Sequence, residues 1–344
     1  MSRRLENHPE RILVVRNDKL GDFVLALPVF ELLKRHWPEA ELVALVPEYT
    51  RAVAELSPFI DRVIIDPGPE TRGSELGRRL RSEHFDAAVT LFSTTRIGLA
   101  LRAARIPCRI APATKLAQFL HNYRVRQRRS ESTQPEYEYN LDLARELLRM
   151  HGAGGDMDIR RPVLAFEPAE VAERRGALLR EHELGDTRLV ILHSGHGGSA
   201  NNLSLEQYAA LANALHSETG HAIVLTAGPG EEEQAQKLAE RIDAAPTVVH
   251  RSVDGLRAFT LLLATADLFV GGSTGPLHLA GALDRPTLAF YPRRATSSPL
   301  RWQTLNRDER RIAFCPVEPA GERDLSAVDT LEAARAASAA FLRC

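Results

Sequence analysis

Four loops of the chain place groups that can bind anions or move protons directly after apolar runs. In the first loop, residues 16–22 read Arg-Asn-Asp-Lys-Leu-Gly-Asp and supply the cations Arg16 and Lys19 and the carboxylates Asp18 and Asp22. Asp22 stands where a helix is predicted to begin, so the helix dipole should keep its carboxylate ionised at neutral pH. An ionised carboxylate can accept the proton of an attacking hydroxyl. An Asp at this position is equally typical of a helix cap.

A second candidate lies in residues 267–283, which read as an apolar strand, a glycine pair, two hydroxyl residues and a helix. Pro276 suits the first helical positions, because its φ is already helical and it lacks the N–H that would go unpaired there. The start of a helix carries unpaired N–H groups and a partial positive charge, which suits phosphate. An ordinary strand–turn–helix joint has the same pattern. The residues at this predicted helix start are Ser273, Thr274, Gly275 and Pro276.

Two further loops follow predicted strands. Residues 193–202 are rich in glycine and hydroxyl residues, which indicates either an anion-binding loop around Ser194 and Gly195 or a flexible connection. Residues 226–233 pass through Gly-Pro-Gly into three acids, and Glu231 could bond a ribose diol or simply favour a helix start. The spacing of histidines and carboxylates in these loops predicts no metal site.

Residues 87–130 contain no Asp or Glu, although the whole chain has a net charge of −1. Clustered cations attract anionic partners, so we expect this stretch to face an acidic acceptor, with Arg124 as a contact, or an anionic membrane surface. A solvated rim that is paired by charges from elsewhere is the alternative. The nine cations are Arg96, Arg102, Arg105, Arg109, Lys115, Arg124, Arg126, Arg128 and Arg129.

Strand and helix patterns alternate from end to end of the 344 residues, with one interruption near residues 152–168. Such alternation predicts two doubly wound domains with parallel sheets, and ligands bind such sheets at the carboxyl ends of the strands. The near-neutral charge gives no indication of a nucleic-acid partner. The chain lacks a secretory signal and an apolar run long enough for a membrane span, and its three cysteines form no framework. We therefore expect a cytoplasmic protein.

Four motifs, in order across nearly the whole chain, resemble glycosyltransferase family 9, the bacterial lipopolysaccharide heptosyltransferases. They are residues 16–22 followed by Leu27-Pro28, residues 193–199 (His-Ser-Gly-His-Gly-Gly-Ser), residues 228–231 (Gly-Pro-Gly-Glu) and residues 273–280 (Ser-Thr-Gly-Pro-Leu-His-Leu-Ala).

The resemblance implies an α/β fold of GT-B architecture: two Rossmann-like doubly wound domains facing a cleft, with the C-terminal helix returning to the N-terminal domain. Residues 1–165 would bind the acceptor, residues 166–326 the nucleotide-sugar donor, and residues 327–344 would form the returning helix. The implied reaction is inverting heptose transfer from ADP-heptose to the lipopolysaccharide inner core or a related acidic glycan. It would need no metal or other cofactor, and the enzyme could touch the cytoplasmic face of the inner membrane.

Carried over by position, the resemblance makes Asp22 the general base and Glu231 the acid at the nucleoside ribose. The loop that holds the donor diphosphate corresponds to Thr274, Gly275, Pro276, Leu277 and His278. We expect further donor contacts from Ser194, Gly195, Asn201 and Ser273, and acceptor contacts from Arg16, Lys19 and Arg124.

Two departures from the family pattern affect donor contacts. Asn201 stands where heptosyltransferases usually carry a phosphate-binding cation, with Leu203-Ser204 in place of Trp-Pro, and Ser273 replaces an Asp. These changes keep three alternatives open: a family 9 transferase for another sugar or acceptor, a sugar-nucleotide epimerase of the same fold, and a binding protein without catalysis.

Overall fold

The computed structural model describes residues 8–114, 116–154, 158–195, 201–243, 246–317 and 321–343. The chain divides into two compact units, Met1–Arg160 and Arg161–Cys344. The sequence analysis placed this division after residue 165. The backbone N–H groups of Val163 and Leu164 both donate to the carbonyl of Ala282, at 2.8 and 2.9 Å, and so tie this segment to the second unit.

The first unit is a six-stranded parallel sheet in the order β3-β2-β1-β4-β5-β6. Its strands are β1 (Arg11–Val15), β2 (Glu41–Pro47), β3 (Arg62–Asp66), β4 (Ala87–Thr90), β5 (Cys108–Pro112) and β6 (Tyr123–Val125). Its helices are α1 (Leu20–Val24), α2 (Leu27–His36), α3 (Arg51–Ala54), α4 (Gly73–Arg81), α5 (Thr95–Ala103) and α6 (Glu136–Met150). Central strands such as β1 are buried on both faces, which explains their continuous apolar runs.

The second unit repeats this plan in the order β12-β11-β10-β7-β8-β9. Its strands are β7 (Leu189–His193), β8 (Ala222–Ala227), β9 (Thr247–Arg251), β10 (Leu268–Gly272), β11 (Thr287–Phe290) and β12 (Arg311–Phe314). Its helices are α7 (Pro168–Glu181), α8 (Leu205–Thr219), α9 (Glu232–Ala239), α10 (Gly255–Ala264), α11 (Gly275–Ala282) and α12 (Thr330–Ala337). Both units confirm the predicted doubly wound α/β class.

Several elements differ from the sequence-based expectation, in which the helical spacing of residues 23–37 predicts one helix. The single helix predicted over residues 23–37 is divided into α1 and α2, because the chain turns at Leu25 and Ala26 just before Pro28. Helices α3 and α5 and strand β5 were not predicted, nor were the edge strands β6 and β12. Both edge strands are only partly buried, so neither carries the continuous apolar run that marks a central strand.

The last helix was expected to return to the N-terminal domain, and its contacts differ from that expectation. Ala333, Ala334 and Ala337 of α12 are buried in the core of the second unit, where the helix packs on α8. The Arg188 guanidinium also donates to the Phe341 carbonyl at 3.1 Å. Small side chains let α12 approach α8 closely, which attaches it to the second unit. No helix within the described part of the chain is long and apolar enough to cross a bilayer.

Candidate active site

The loop after β1 builds a buried ion network around Arg16. Arg16 follows the last residue of β1 and is 2% exposed. Its Nε donates to Asp18 Oδ1 at 2.8 Å, and its Nη2 donates to Asp22 Oδ1. Asp22 lies in the first turn of α1, which begins directly after this loop. The two carboxylates predicted for this loop are therefore held on one guanidinium.

Helix α6 completes this network from far along the chain. Arg16 Nη1 donates to Glu136 Oε1 and to Asn140 Oδ1, both at 3.0 Å. Asn140 also donates to the Leu25 carbonyl, at 3.1 Å, so it joins α6 to the turn between α1 and α2. Glu136 accepts a further hydrogen bond from Arg129, at 2.9 Å. The sequence analysis missed Glu136 and Asn140, because no local spacing relates them to residues 16–22.

Burial sets the protonation of Asp22. Burial raises the pKa of Asp22 to about 6, while the Arg16 guanidinium opposes this rise and the Asp18 and Glu136 carboxylates add to it. The sequence analysis expected the helix dipole to keep this carboxylate ionised; in the structure the loss of hydration has the largest effect on its pKa. With a pKa of about 6, Asp22 is still mostly ionised at pH 7 and is well matched to accept a proton.

The other residues predicted to contact an acceptor occupy different environments. Arg16 is buried in ion pairs with Asp18, Asp22 and Glu136, and its acceptor contact stays a prediction. Burial lowers the pKa of Arg16, but the attraction of Asp18, Asp22 and Glu136 outweighs it and raises the pKa. Lys19 is exposed at the start of α1.

The cation-rich stretch 87–130 divides into structural and exposed arginines. Arg96 is bound to the buried Asp66, and Arg109 donates to the Leu120 and Ile106 carbonyls. Arg124 is exposed, and its guanidinium lies 5.5 Å from the centre of the Phe119 ring. Lys115 lies outside the described residues. Counter-charges from elsewhere in the fold therefore account for Arg96 and Arg129. The exposed arginines of the stretch are Arg102, Arg105, Arg124, Arg126 and Arg128.

In the second unit, the loops after β7, β8 and β10 meet at one edge of the sheet, because β7 lies between β10 and β8. Glu231, at the cap of α9, turns towards the loop after β7. A Cβ built on Gly195 would collide with the Glu231 carboxylate, so only glycine fits there without a shift. The structure thereby brings together three predicted donor residues, Ser194, Gly195 and Glu231.

His193 and Thr226 join the same two loops beneath Glu231. The His193 ring is buried, and its Nδ1 lies 3.1 Å from the Thr226 carbonyl and 3.0 Å from Thr226 Oγ1. Its Nε2 lies 3.6 Å from Glu231 Oε2. Glu231 also accepts from the Gly228 N–H, at 3.2 Å. His193 is therefore held by Thr226 and lies close to the Glu231 carboxylate. His196, also considered in the sequence analysis, lies outside the described residues.

The two asparagines after the glycine-rich loop have different roles. Asn201 donates to the Arg323 carbonyl, at 2.5 Å. Asn202 donates to the Ser194 carbonyl, at 2.5 Å, and accepts from the Tyr208 hydroxyl. A Cβ on Gly272 would lie 2.8 Å from Asn202 Oδ1. Asn202, which the sequence analysis did not select, therefore holds the loop after β7 against the end of β10.

The start of α11 has the predicted strand–turn–helix form. Thr274 is the N-cap residue, but its hydroxyl makes no cap bond; it lies 3.4 Å from the Gly272 carbonyl. The helix start is therefore not covered by the threonine side chain, which favours an external anion as partner of its N–H groups. Ser273, Gly275 and Pro276 are partly exposed beside it.

Leu277 and His278 lie deeper in α11. Leu277 is buried in the core, so its side chain has a packing role and only its backbone suits a donor contact. His278 is 2% exposed, and its ring centre lies 6.2 Å from that of Trp302. Burial lowers the pKa of His278 to about 4. His278 is therefore neutral at physiological pH and supplies no positive charge to a phosphate.

The family model described as glycosyltransferase family 9 (heptosyltransferase) matches residues 74–324. The chain belongs to glycosyltransferase family 9. The match spans the second unit's three loops and about half of the first unit, and it confirms the resemblance drawn from the four motifs. It also confirms the prediction that the protein is a glycosyltransferase.

Individual proteins agree with the family assignment. This family 9 glycosyltransferase is 45% identical over 316 residues to a Haemophilus influenzae protein that is named as a glycosyltransferase, with no sugar specified; the match covers 91% of this chain and 90% of the relative. It is 24% identical to lipopolysaccharide heptosyltransferase 2 of Salmonella typhimurium, over 82% of each chain. The structure of the Escherichia coli ADP-heptose lipopolysaccharide heptosyltransferase II superposes with a TM-score of 0.74, at 22% identity, over 95% of this chain and 98% of that one. This likeness confirms the predicted GT-B fold.

Proposed function

We propose that this family 9 glycosyltransferase transfers a heptose from ADP-heptose to an acidic glycan acceptor such as the lipopolysaccharide inner core, with inversion of the anomeric carbon. The names of the Salmonella and Escherichia coli relatives support the sugar, the nucleotide and the acceptor class. The observation that carries the proposal is the partly buried Asp22 carboxylate, held by Arg16 and with a pKa of about 6.

In the proposed reaction, Asp22 accepts the proton of an acceptor hydroxyl. The hydroxyl oxygen forms a bond to the anomeric carbon from the face opposite the diphosphate, and the bond from that carbon to the diphosphate oxygen breaks. ADP leaves with the electron pair and needs no proton, so one carboxylate suffices where most glycosidases use two.

The second unit would bind the donor. The negative charge that grows on the leaving diphosphate would be stabilised by N–H groups at the start of α11, an interaction that strengthens as the bond breaks. Glu231, positioned by His193 and the Gly228 N–H, would accept hydrogen bonds from the ribose hydroxyls. We propose that no metal ion takes part, and we expect a chelator to leave the rate unchanged.

The decisive experiment incubates the protein with ADP-heptose and an inner-core acceptor that lacks heptose, and measures ADP release and the mass of the acceptor. We expect the acceptor to gain one heptose, and ADP release to depend on the acceptor. Asp22→Asn should lower kcat about 10²–10⁴-fold while donor binding persists. Glu138→Gln is the matched control, because Glu138 lies on α6 and pairs with Arg145 outside the network.

Three results would contradict the proposal. Conversion of the donor to an epimer without acceptor would indicate an epimerase. Donor binding without turnover towards any acceptor would indicate a binding protein. A near-normal rate for Asp22→Asn would remove Asp22 as the base, while leaving the family assignment intact.

One observation favours a second candidate, a family 9 transferase for another nucleotide sugar. The Asn201 amide stands where related enzymes carry a cation and is bound to the Arg323 carbonyl, so it cannot supply that charge. Donor contacts therefore differ from the heptosyltransferase pattern at this point, and assays with UDP- and GDP-sugars belong beside the assay with ADP-heptose.

A further inference from the structure

An exposed apolar turn projects from the first unit. Residues Leu116–Leu120 form a short 3-10 helix in which Leu116 is 82% exposed and Phe119 is 68% exposed. The opposite side of this turn packs against the protein. Ala117 is buried, and Leu120 lies so close to Gly98 of α5 that a Cβ added to Gly98 would come within 2.8 Å of it. The close contact with α5 directs Leu120 inwards and leaves two large apolar side chains in water. Exposure of this kind often indicates an interaction site.

A row of arginines begins four residues after this turn. Arg124, Arg126 and Arg128 are exposed, whereas the residues between them turn inwards. Gln127 donates to the Tyr139 carbonyl of α6 at 2.5 Å, and Arg129 donates to Glu136 at 2.9 Å. This alternation of exposure places the three exposed arginines on the solvent side of the segment that begins in β6.

Few acidic groups oppose this face. No Asp or Glu occurs between residues 87 and 130. Glu131 pairs with Arg128 at 3.6 Å, and both side chains are more than half exposed, so this pair holds its charges weakly. Arg124 lies over the Phe119 ring, at 5.5 Å from its centre, which places a cation directly beside the apolar turn.

We propose that the surface formed by Leu116, Phe119, Arg124, Arg126 and Arg128, here termed the arginine–phenylalanine surface, docks on an anionic lipid bilayer. Leu116 and Phe119 enter the boundary between headgroups and acyl chains, and the arginines bind lipid phosphates. An acidic glycan would also bind the arginines, but a polar chain offers nothing to cover Leu116 and Phe119. The two kinds of side chain together favour lipid.

The inference extends the proposed function, but vesicle binding can be measured without turnover. The full-length protein is sedimented with phosphatidylcholine vesicles, with and without phosphatidylglycerol. We expect binding only with phosphatidylglycerol, and weaker binding at high salt. The triple variant Arg124→Gln, Arg126→Gln, Arg128→Gln should bind about fivefold more weakly for each arginine removed, or about a hundredfold in all.

Two further variants test the apolar turn and the charge effect. Leu116→Ser combined with Phe119→Ser should weaken binding at least about tenfold, because two buried apolar side chains are lost. Arg78→Gln, Arg79→Gln, Arg81→Gln removes the same charge from exposed positions of α4 and should leave vesicle binding within about twofold of wild type. Circular dichroism and thermal melts check that each variant is folded.

Several results would overturn the docking proposal. One is vesicle binding that both the arginine and the apolar variants leave unchanged; another is equal weakening by the α4 variant, which would indicate net charge alone. A third is wild-type vesicle binding together with a raised KM for a soluble inner-core oligosaccharide, which would make the surface an acceptor site. Loss of vesicle binding in the apolar variant, Leu116→Ser with Phe119→Ser, with unchanged kcat on that oligosaccharide would support docking and leave the proposed reaction unaffected.

Discussion

Asp22 titrates near neutrality because two opposing effects act on one carboxylate. Burial disfavours its charge, and the Arg16 guanidinium stabilises that charge. Either effect alone would give a group of little use as a base, since a carboxylate with a very low pKa is a weak proton acceptor and one with a high pKa is protonated at pH 7. The network around Arg16 thus provides a base that is ionised and still able to take a proton.

The pH dependence of turnover follows from this pKa. Only ionised Asp22 accepts a proton, so kcat should be at its plateau above pH 7 and fall about tenfold for each pH unit below about 6. Measurements of kcat between about pH 4.5 and 8, at saturating donor and acceptor, would test this. The expected fall in kcat below about pH 6, here termed the acidic limb, cannot come from His278, because the pKa of His278 is about 4. A rate that stays constant down to about pH 5 would contradict the assignment of Asp22.

Glu136 should tune the pKa of Asp22 through the network. Its negative charge contributes to the raised pKa of Asp22, so Glu136→Gln should move the acidic limb of the kcat profile to lower pH. The same variant loosens Arg16, which loses a charged partner, so kcat at the plateau should also fall. Glu138→Gln, on the same helix and paired with Arg145, should leave the limb in place. An unchanged limb in Glu136→Gln would show that Glu136 acts on the fold alone.

Sequence reasoning reached part of this network and could not reach the rest. Asp22 and Arg16 were predicted as functional because they follow an apolar run, where the carboxyl end of a strand was expected. The role of Arg16 was not predicted, because it depends on Glu136 and Asn140, which lie 120 and 124 residues further along the chain. The pairing exists only because α6 packs on α2, a tertiary contact without a local sequence pattern.

At the scale of elements, close approach of two loops defines the proposed donor site. Gly195→Ala should disturb it, because the new Cβ would collide with the Glu231 carboxylate. If Glu231 binds the donor ribose, its displacement should raise the donor KM at least about tenfold, the equivalent of one hydrogen bond to a charged group, with a smaller change in kcat. Steady-state kinetics with varied donor concentration would measure both.

Gly154→Ala provides the matched control for this substitution. A Cβ added to Gly154 would meet no other atom within 4 Å, so the methyl group enters open space and the kinetics should match wild type. Gly195→Ala kinetics equal to those of Gly154→Ala would show that the contact between Glu231 and the loop after β7 is irrelevant to donor binding.

Burial explains only part of which strands the sequence predicted, because the partly buried edge strands β3 and β9 were predicted and the buried strand β5 was missed. The central strands β1, β2, β7, β8 and β10 are covered on both faces, and their continuous apolar runs predicted them. The edge strands β6 and β12 are only partly buried and carry arginines, so composition gave no strand signal. Strand β6 forms by pairing with β5, and β12 forms by pairing with β11. These pairings join separate segments of the chain, so the local sequence of either edge strand does not reveal them.

For the whole molecule, the two-unit division makes it possible to locate donor binding by fluorescence. The chain has two tryptophans, Trp37 in the first unit and Trp302 in the second. Trp37→Phe leaves Trp302 to report unfolding of the second unit, and Trp302→Phe leaves Trp37 to report the first. Trp302 lies near His278 of α11, so its environment is close to the proposed diphosphate site.

ADP should raise the midpoint of the transition reported by Trp302, because a ligand stabilises the folded unit that binds it. At about 100 times the dissociation constant the gain is about 2.7 kcal/mol, or about 5–10 °C for a unit of this size. UDP and GDP at equal concentration should give smaller shifts if the donor is an ADP-sugar. Thermal melts of Trp37→Phe with each nucleotide would measure this, with Trp302→Phe as the comparison. A larger shift with UDP or GDP would refute ADP as the nucleotide, and a shift seen by Trp37 alone would place the nucleotide in the first unit.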